Sequence, residues 1–217
     1  ALDGVLLDLG LSWFHLRNPE RGFSFQAEGP LDMRMNAGGP TTAADLVNNL
    51  SRQELARIIR EYGEEKKANA IAKAIERARG RGPITSTVQL AQIVSSVFPP
   101  YPPRRTHPAT LTFQALRIAV NDEMDALREG LSAAVTVLRP GGRIAIISFH
   151  SLEDRIVKQA YVGHAKGCIC PPRLPVCRCG TKPDLKILTR RPVMASEIEV
   201  AGNPASRSAK LRAAEKL

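Results

Sequence analysis

Leu2-Asp3-Gly4-Val5-Leu6-Leu7-Asp8-Leu9-Gly10 opens the chain as a short apolar run ending in an acid and a glycine. The run is too short for an ordinary helix and too continuously apolar for an alternating strand. It predicts a strand buried on both faces of a sheet. Open α/β sheets bind ligands at the carboxyl ends of their strands. Asp8 and the turn Gly10-Leu11-Ser12-Trp13-Phe14-His15 are therefore expected to face a cofactor or substrate. An edge strand leading into a surface loop is the plainer alternative. The stretches 18–25 and 29–35 are neither periodic nor low in complexity. They predict a long loop that holds aromatic, cationic and acidic side chains together, the character of a functional loop.

The apolar pattern returns at Arg143-Ile144-Ala145-Ile146-Ile147-Ser148-Phe149-His150, after a turn at Arg139-Pro140-Gly141-Gly142. This predicts a second buried strand, with Ser148, Phe149 and His150 at its ligand end. A helical pattern over 112–138 precedes it, with Phe113, Leu116, Val120, Met124, Leu127 and Leu131 at steps of three and four. Arg117 and Asn121 share one face near the start of that helix and are candidate RNA contacts. Ser151, with Asp154 at the third helical position, is the expected cap of the following helix. Stretches 185–192 and 206–214 predict two final strands, with a loop rich in Asn, Pro and Ser between them.

Between these core segments lie three helical patterns with no strand. Ser51 and Glu54 form a capping box ahead of Leu55, Ile58, Ile59 and Tyr62. A second helix, over 64–79, carries Ala68, Ile71, Ala72 and Ile75 on one face. A third begins near Thr85 or Ser86 and stops at Pro99-Pro100. Glycine and proline breaks bound the block, which predicts a helical insertion over 43–103 between core segments 1–42 and 104–217.

No apolar stretch approaches the roughly 18 residues of a membrane span, so no membrane partner is expected. The chain starts at Ala1 and enters the first strand almost at once, which reads as a beginning in mid-domain without a secretory signal. Net charge is +10, and residues 151–217 hold 13 basic against 6 acidic side chains, most of the surplus. A polyanion such as nucleic acid and a plainly solvated surface both fit that bias. Arg190 and Arg191 are the candidate phosphate contacts in this basic region. All four cysteines, Cys168, Cys170, Cys177 and Cys179, fall in one short segment. The clustering suits a reducing, cytoplasmic setting and either a zinc site or a loop of reduced thiols.

Several motifs occur in order: Asp8-Leu9-Gly10-Leu11-Ser12, Pro19-Glu20-Arg21-Gly22-Phe23-Ser24-Phe25, Gly29-Pro30-Leu31-Asp32-Met33-Arg34-Met35, His107-Pro108-Ala109-Thr110, Phe113-Gln114-Ala115-Leu116-Arg117-Ile118 and Ile147-Ser148-Phe149-His150-Ser151-Leu152-Glu153-Asp154-Arg155. Together they closely resemble the RsmH (MraW) family over nearly the whole chain. The resemblance implies an α/β fold, a Rossmann-like class I methyltransferase core interrupted by an all-helical domain. It implies S-adenosylmethionine as cofactor. The implied reaction is methylation of the N4 amine of a cytidine in the decoding centre of small-subunit ribosomal RNA, free or in the assembled subunit. It also implies that Asp8 and His15 occupy cofactor-contacting positions. The family's glycine-rich Gly-Gly-His cofactor loop has no counterpart here, so the core is expected to be incomplete at its start and this chain alone to be inactive.

For such a transfer Asp8, or backbone carbonyls of residues 9–12, would orient the amine. DNA amino-methyltransferases commonly place a Pro-Pro-aromatic turn at this strand end, where this chain has Leu9-Gly10-Leu11. Base stacking is therefore expected from Phe23, Phe25 or Phe149, each of which could equally be core. His150 is a candidate proton shuttle or a histidine held by a strand-end hydrogen bond. An RNA-binding remnant without catalysis and a DNA N4-cytosine methyltransferase are the alternative functions.

Overall fold

A computed structural model describes residues 1–99, 106–167, 170, 176 and 179–217. In chain order the elements are β1 (Leu2–Asp8), α1 (Trp13–Arg17), α2 (Ala43–Asn49), α3 (Arg52–Gly63), α4 (Ala68–Arg79), α5 (Thr87–Ser95), α6 (Thr110–Asn121), α7 (Glu123–Val137), β2 (Leu138–Ser148), α8 (Ser151–Lys166), β3 (Leu185–Ile187), β4 (Val193–Met194), α9 (Glu197–Gly202) and β5 (Lys210–Lys216). They form two compact units, one of residues 1–10 and 124–217 and the other of residues 11–123. The helical unit is thus wider at both ends than the 43–103 block expected from helix pattern alone.

The first unit is a mixed sheet in the order β1-β2-β5-β3, with β4 also paired to β5. β1 and β2 run parallel, and β5 runs antiparallel to β2, β3 and β4. This is the mixed α/β architecture expected of a Rossmann-like methyltransferase. Helices α7 and α8 supply Leu127, Leu131, Val135, Val157 and Tyr161 to a core shared with Ile144, Ile146 and Ala214. The strand β1 departs from expectation. Val5, Leu7 and Leu9 pack against that core, while Leu6 is 65% exposed and Leu2 also faces outward. β1 is an edge strand and that core lies against one side of it, so its apolar run is buried on one face only.

Other boundaries moved for local reasons. The expected turn at Pro140-Gly141-Gly142 lies inside β2 as an irregularity: Leu2 pairs with Leu138, but Gly4 pairs with Arg143. Gly141 has φ +79°, and a Cβ on Gly142 would sit 2.9 Å from the Leu2 carbonyl. The single helix expected over 112–138 is broken at Asp122, which adopts a left-handed φ of +48° and ends α6. The stretch 193–205, expected as loop, contains β4 and α9 capped by Ser196, and a 3-10 turn over Pro204–Ser208 takes up the start of the strand expected over 206–214.

Helix α8 begins one residue earlier than Ser151 and Asp154 suggested. Its cap is His150, and Glu153 occupies the third position. Asp154 is thereby released to meet Arg212 of β5, whose guanidinium donates to both carboxylate oxygens at 2.6 and 3.0 Å. Arg212 is buried, and its hydrogen bond and charge hold the Asp154 carboxyl below its ordinary value of 3.8 despite partial burial. Burial pushes the Tyr161 hydroxyl up, and it donates to the Ile144 carbonyl at 3.4 Å.

Removing one partner of a buried ion pair leaves the other charge uncompensated, so Asp154→Ala should cost about 3 kcal/mol at pH 7. A depressed carboxyl stabilises the fold above its unfolded value and loses that contribution as pH falls through the folded one. Urea unfolding of wild type and variant should therefore differ most near neutrality and converge below about pH 4.

Candidate active site

Parallel pairing sets Asp8 opposite Ile147, and the Leu9 amide donates to the Ile147 carbonyl at 3.0 Å. The carboxyl ends of β1 and β2 therefore lie side by side. They bring Asp8 together with Phe149 and His150 in the first unit. Asp8 is exposed, and its carboxylate makes no hydrogen bond or ion pair with any described residue. Gly10 follows with φ +95°, and a Cβ there would meet only the Phe149 ring, at 3.8 Å. An open acceptor beside bare backbone suits a polar ligand with N–H or O–H groups.

His150 is committed locally. Its Nδ1 accepts from the Glu153 amide at 3.4 Å. Its Nε2 lies 3.2 Å from Glu153 Oε1 but is not aligned as a hydrogen bond. Glu153 Oε2 in turn accepts from the Phe149 and His150 amides at 2.8 and 3.2 Å. Burial pushes the Glu153 carboxyl up, but His150 and the two amides outweigh it and the net direction is down. His150 thus caps α8 through Nδ1, and Glu153 holds the Phe149 and His150 amides.

The second unit carries His15 on α1. Its Nδ1 is 3.1 Å from Ser12 Oγ, and its ring lies 5.6 Å from that of Phe23. The loop beyond is held in one shape. Arg21 donates to the carbonyls of Arg34 and Met35 at 2.6 and 3.0 Å. Arg34 binds both oxygens of Asp32, and that hydrogen bond keeps the Asp32 carboxyl low. Met33, buried with a left-handed φ of +62°, sits at the bend. Asn121 of α6 accepts from the Met35 amide at 2.7 Å and donates to the carbonyls of Met33 and Arg117 at 2.8 Å. Arg117 forms a two-pronged ion pair with Glu123 at 2.7 and 2.9 Å. Both expected RNA contacts on α6 are therefore engaged inside the protein. Beside Asn121 the loop encloses a cavity of about 460 Å³, lined by Arg34, Met35, Pro40, Leu46 and Val120 among others.

The expected stacking rings also find partners. Phe23 is 7% exposed and belongs to the core of the helical unit. Phe25 stacks on His107 at 4.5 Å and meets Phe113 edge-on at 4.9 Å. Phe149, 36% exposed, keeps an open side. Arg190 and Arg191, between β3 and β4, are exposed and make no ion pair with a described residue. Of the four thiols proposed for zinc, Cys168 and Cys177 lie outside the described residues. Among the described residues no group of three or more His, Cys, Asp or Glu side chains could hold a metal. Asp184 binds His164 Nδ1 at 2.8 Å and the Lys216 ammonium at 3.3 Å. No helix among the described residues is long and apolar enough to cross a membrane.

Residues 1–217 match the MraW methylase family. A protein of Geobacter sulfurreducens named ribosomal RNA small subunit methyltransferase H is 59% identical over the whole chain, which covers 70% of that protein. Proteins of the same name from Symbiobacterium thermophilum and Carboxydothermus hydrogenoformans are 56% and 54% identical, again over the whole chain and 69% and 70% of their own lengths.

Two of the three hydrogen bonds of Asn121 hold the loop, so Asn121→Ala should cost about 2 kcal/mol by leaving polar backbone groups unmet. The Met35 amide should then exchange with solvent distinctly faster than in wild type, which hydrogen exchange measures directly.

Proposed function

The chain belongs to the MraW methylase family, and from that premise we propose that it methylates the N4 amine of a cytidine in small-subunit ribosomal RNA. The observation that supports this most is similarity along the full chain to proteins named for methylating that RNA. Assembled small subunits in the cytoplasm are the proposed setting, and the decoding centre the proposed target.

S-adenosylmethionine, the methyl donor of the family, supplies an electrophilic methyl group when bound. The donor set at the end of β1 fits such a group, because the Asp8 carboxylate is exposed and uncommitted and Gly10 leaves the backbone beside it bare. In our reading Asp8 and His15 contact cofactor, and Asp8 also accepts a hydrogen bond from the attacking amine. A carboxylate there turns the nitrogen lone pair toward the methyl carbon and offsets the positive charge growing on nitrogen. Glu153 contributes indirectly, since it fixes the Phe149 and His150 backbone that borders the same strand end. Arg190 and Arg191 bind phosphates of the RNA backbone.

In a protein extended to the full length of those relatives, Asp8→Ala should abolish methyl transfer to small-subunit RNA while the circular dichroism spectrum and melting temperature stay those of the unsubstituted protein. Wild-type turnover by this variant would remove Asp8 from the site. Neutralising Arg190 and Arg191 together should flatten the log–log dependence of RNA affinity on salt by about two units, one for each phosphate that is no longer neutralised. An unchanged slope would put the phosphate path elsewhere.

A further inference from the structure

We infer that Trp13 and Phe14 of α1 form a stacking surface for an unpaired nucleobase of the RNA, an inference that rests on the proposed RNA substrate. The two side chains are 58% and 71% exposed, and α1 buries none of its residues. Large aromatic rings adjacent on a surface helix contribute little to a core. They are costly to leave in water, which marks them as contact residues.

The chemistry around them selects the ligand. The Arg17 guanidinium lies 4.8 Å from the centre of the Trp13 ring, and Arg17 makes no ion pair with a described residue. One face of the indole thus carries a cation able to meet a phosphate, and a base stacked on the ring would bring that phosphate with it. An apolar protein partner would have no use for that cation, and the overall charge of +10 points the same way. The platform is also positioned in advance. Ser12 caps α1 by accepting from the His15 amide, and the His15 ring packs against buried Phe23. Every base presents a π-face, so the surface tolerates any sequence, but it needs a base that is not already stacked within a duplex. Of the rings a reading of the sequence favours for this task, Phe23 and Phe25 have their faces taken by protein and Phe149 keeps an open side.

Trp13 is the only tryptophan in the chain, so its emission reports on this surface alone. Before RNA is added, the emission should be that of a water-exposed indole; a blue-shifted spectrum would show the ring covered by protein and overturn the inference. Titration with a short single-stranded oligoribonucleotide should quench it along the same curve that fluorescence anisotropy gives for a labelled oligomer. The matching duplex should quench little. Trp13→Ala should weaken binding of the single strand about tenfold, within the range typical of one stacked base. Trp13→Phe should recover most of that loss, and Phe14→Ala should weaken binding in the same sense. Because α1 buries none of its side chains, these variants should fold as wild type, with circular dichroism as the check. Binding of the oligomer without quenching, together with wild-type affinity of Trp13→Ala, would refute the stacking surface and leave the RNA substrate standing. Absence of any binding by anisotropy would instead bring down the RNA reading, and this inference with it.

Discussion

Parallel pairing of β1 with β2 is the constraint on which the first unit depends. It fixes two carboxyl ends side by side, so an acid that closes one strand and a Phe-His pair that closes the other become neighbours although 141 residues separate Asp8 from Phe149. Hydrogen bonds of the ladder do this, and side-chain packing only secures it. Glu153 completes the arrangement by accepting from the Phe149 and His150 amides, donors at a helix N-terminus that have no partner within the helix. A buried carboxylate is tolerable there because those amides and the His150 ring meet it.

The helical unit solves a different problem. Its loop over residues 18–36 has little regular structure, yet it carries charged and apolar groups into the interior. Buried backbone polar groups need partners, and long side chains provide them: Arg21 for the carbonyls of Arg34 and Met35, Asn121 for the backbone of Met33 and Met35. Met33 adopts a left-handed conformation that a residue other than glycine holds only when its surroundings insist. The loop is therefore rigid for the same reason that it looked functional in sequence: its polar side chains bind its own backbone.

That double meaning explains what the sequence disclosed and what it did not. Period and punctuation located α3, α4 and α5, because Ser51 with Glu54 and the glycine and proline breaks act within a few residues, while the shorter α1, α2 and α9 gave no such signal. The sequence left β1 open between an edge strand and one covered on both faces, since an apolar run records the character of its residues and not which side of a sheet a helix covers. The break at Asp122 was hidden because a single left-handed residue leaves the three-and-four spacing of Phe113 to Leu131 nearly undisturbed. The place of Asp8 at a strand end was legible in the sequence, because the acid closes an apolar run. Arg117, Asn121, Phe23 and Phe25 engage the protein's own groups, since a residue type suited to binding RNA is equally suited to binding the protein itself. Trp13 and Phe14 carried a usable signal in adjacent large aromatics flanked by Arg17, but only exposure separates a platform from a core.

The same distinction governs the charge. Arg21, Arg34, Arg117 and Arg212 all commit their guanidinium groups to protein carbonyls or carboxylates. Moving any of them to a phosphate would exchange satisfied hydrogen bonds in a partly buried setting for a screened interaction at the surface, an exchange with no net driving force. Lys73 and Arg77 on α4, Arg17 on α1, and Arg190 with Arg191 are exposed and make no ion pair with a described residue. Counterion release on binding RNA therefore reports on cations of this second kind, and a formal charge of +10 overstates how many phosphates the protein can neutralise. Positive charge in this chain builds the fold first, and the remainder is what a polyanion meets.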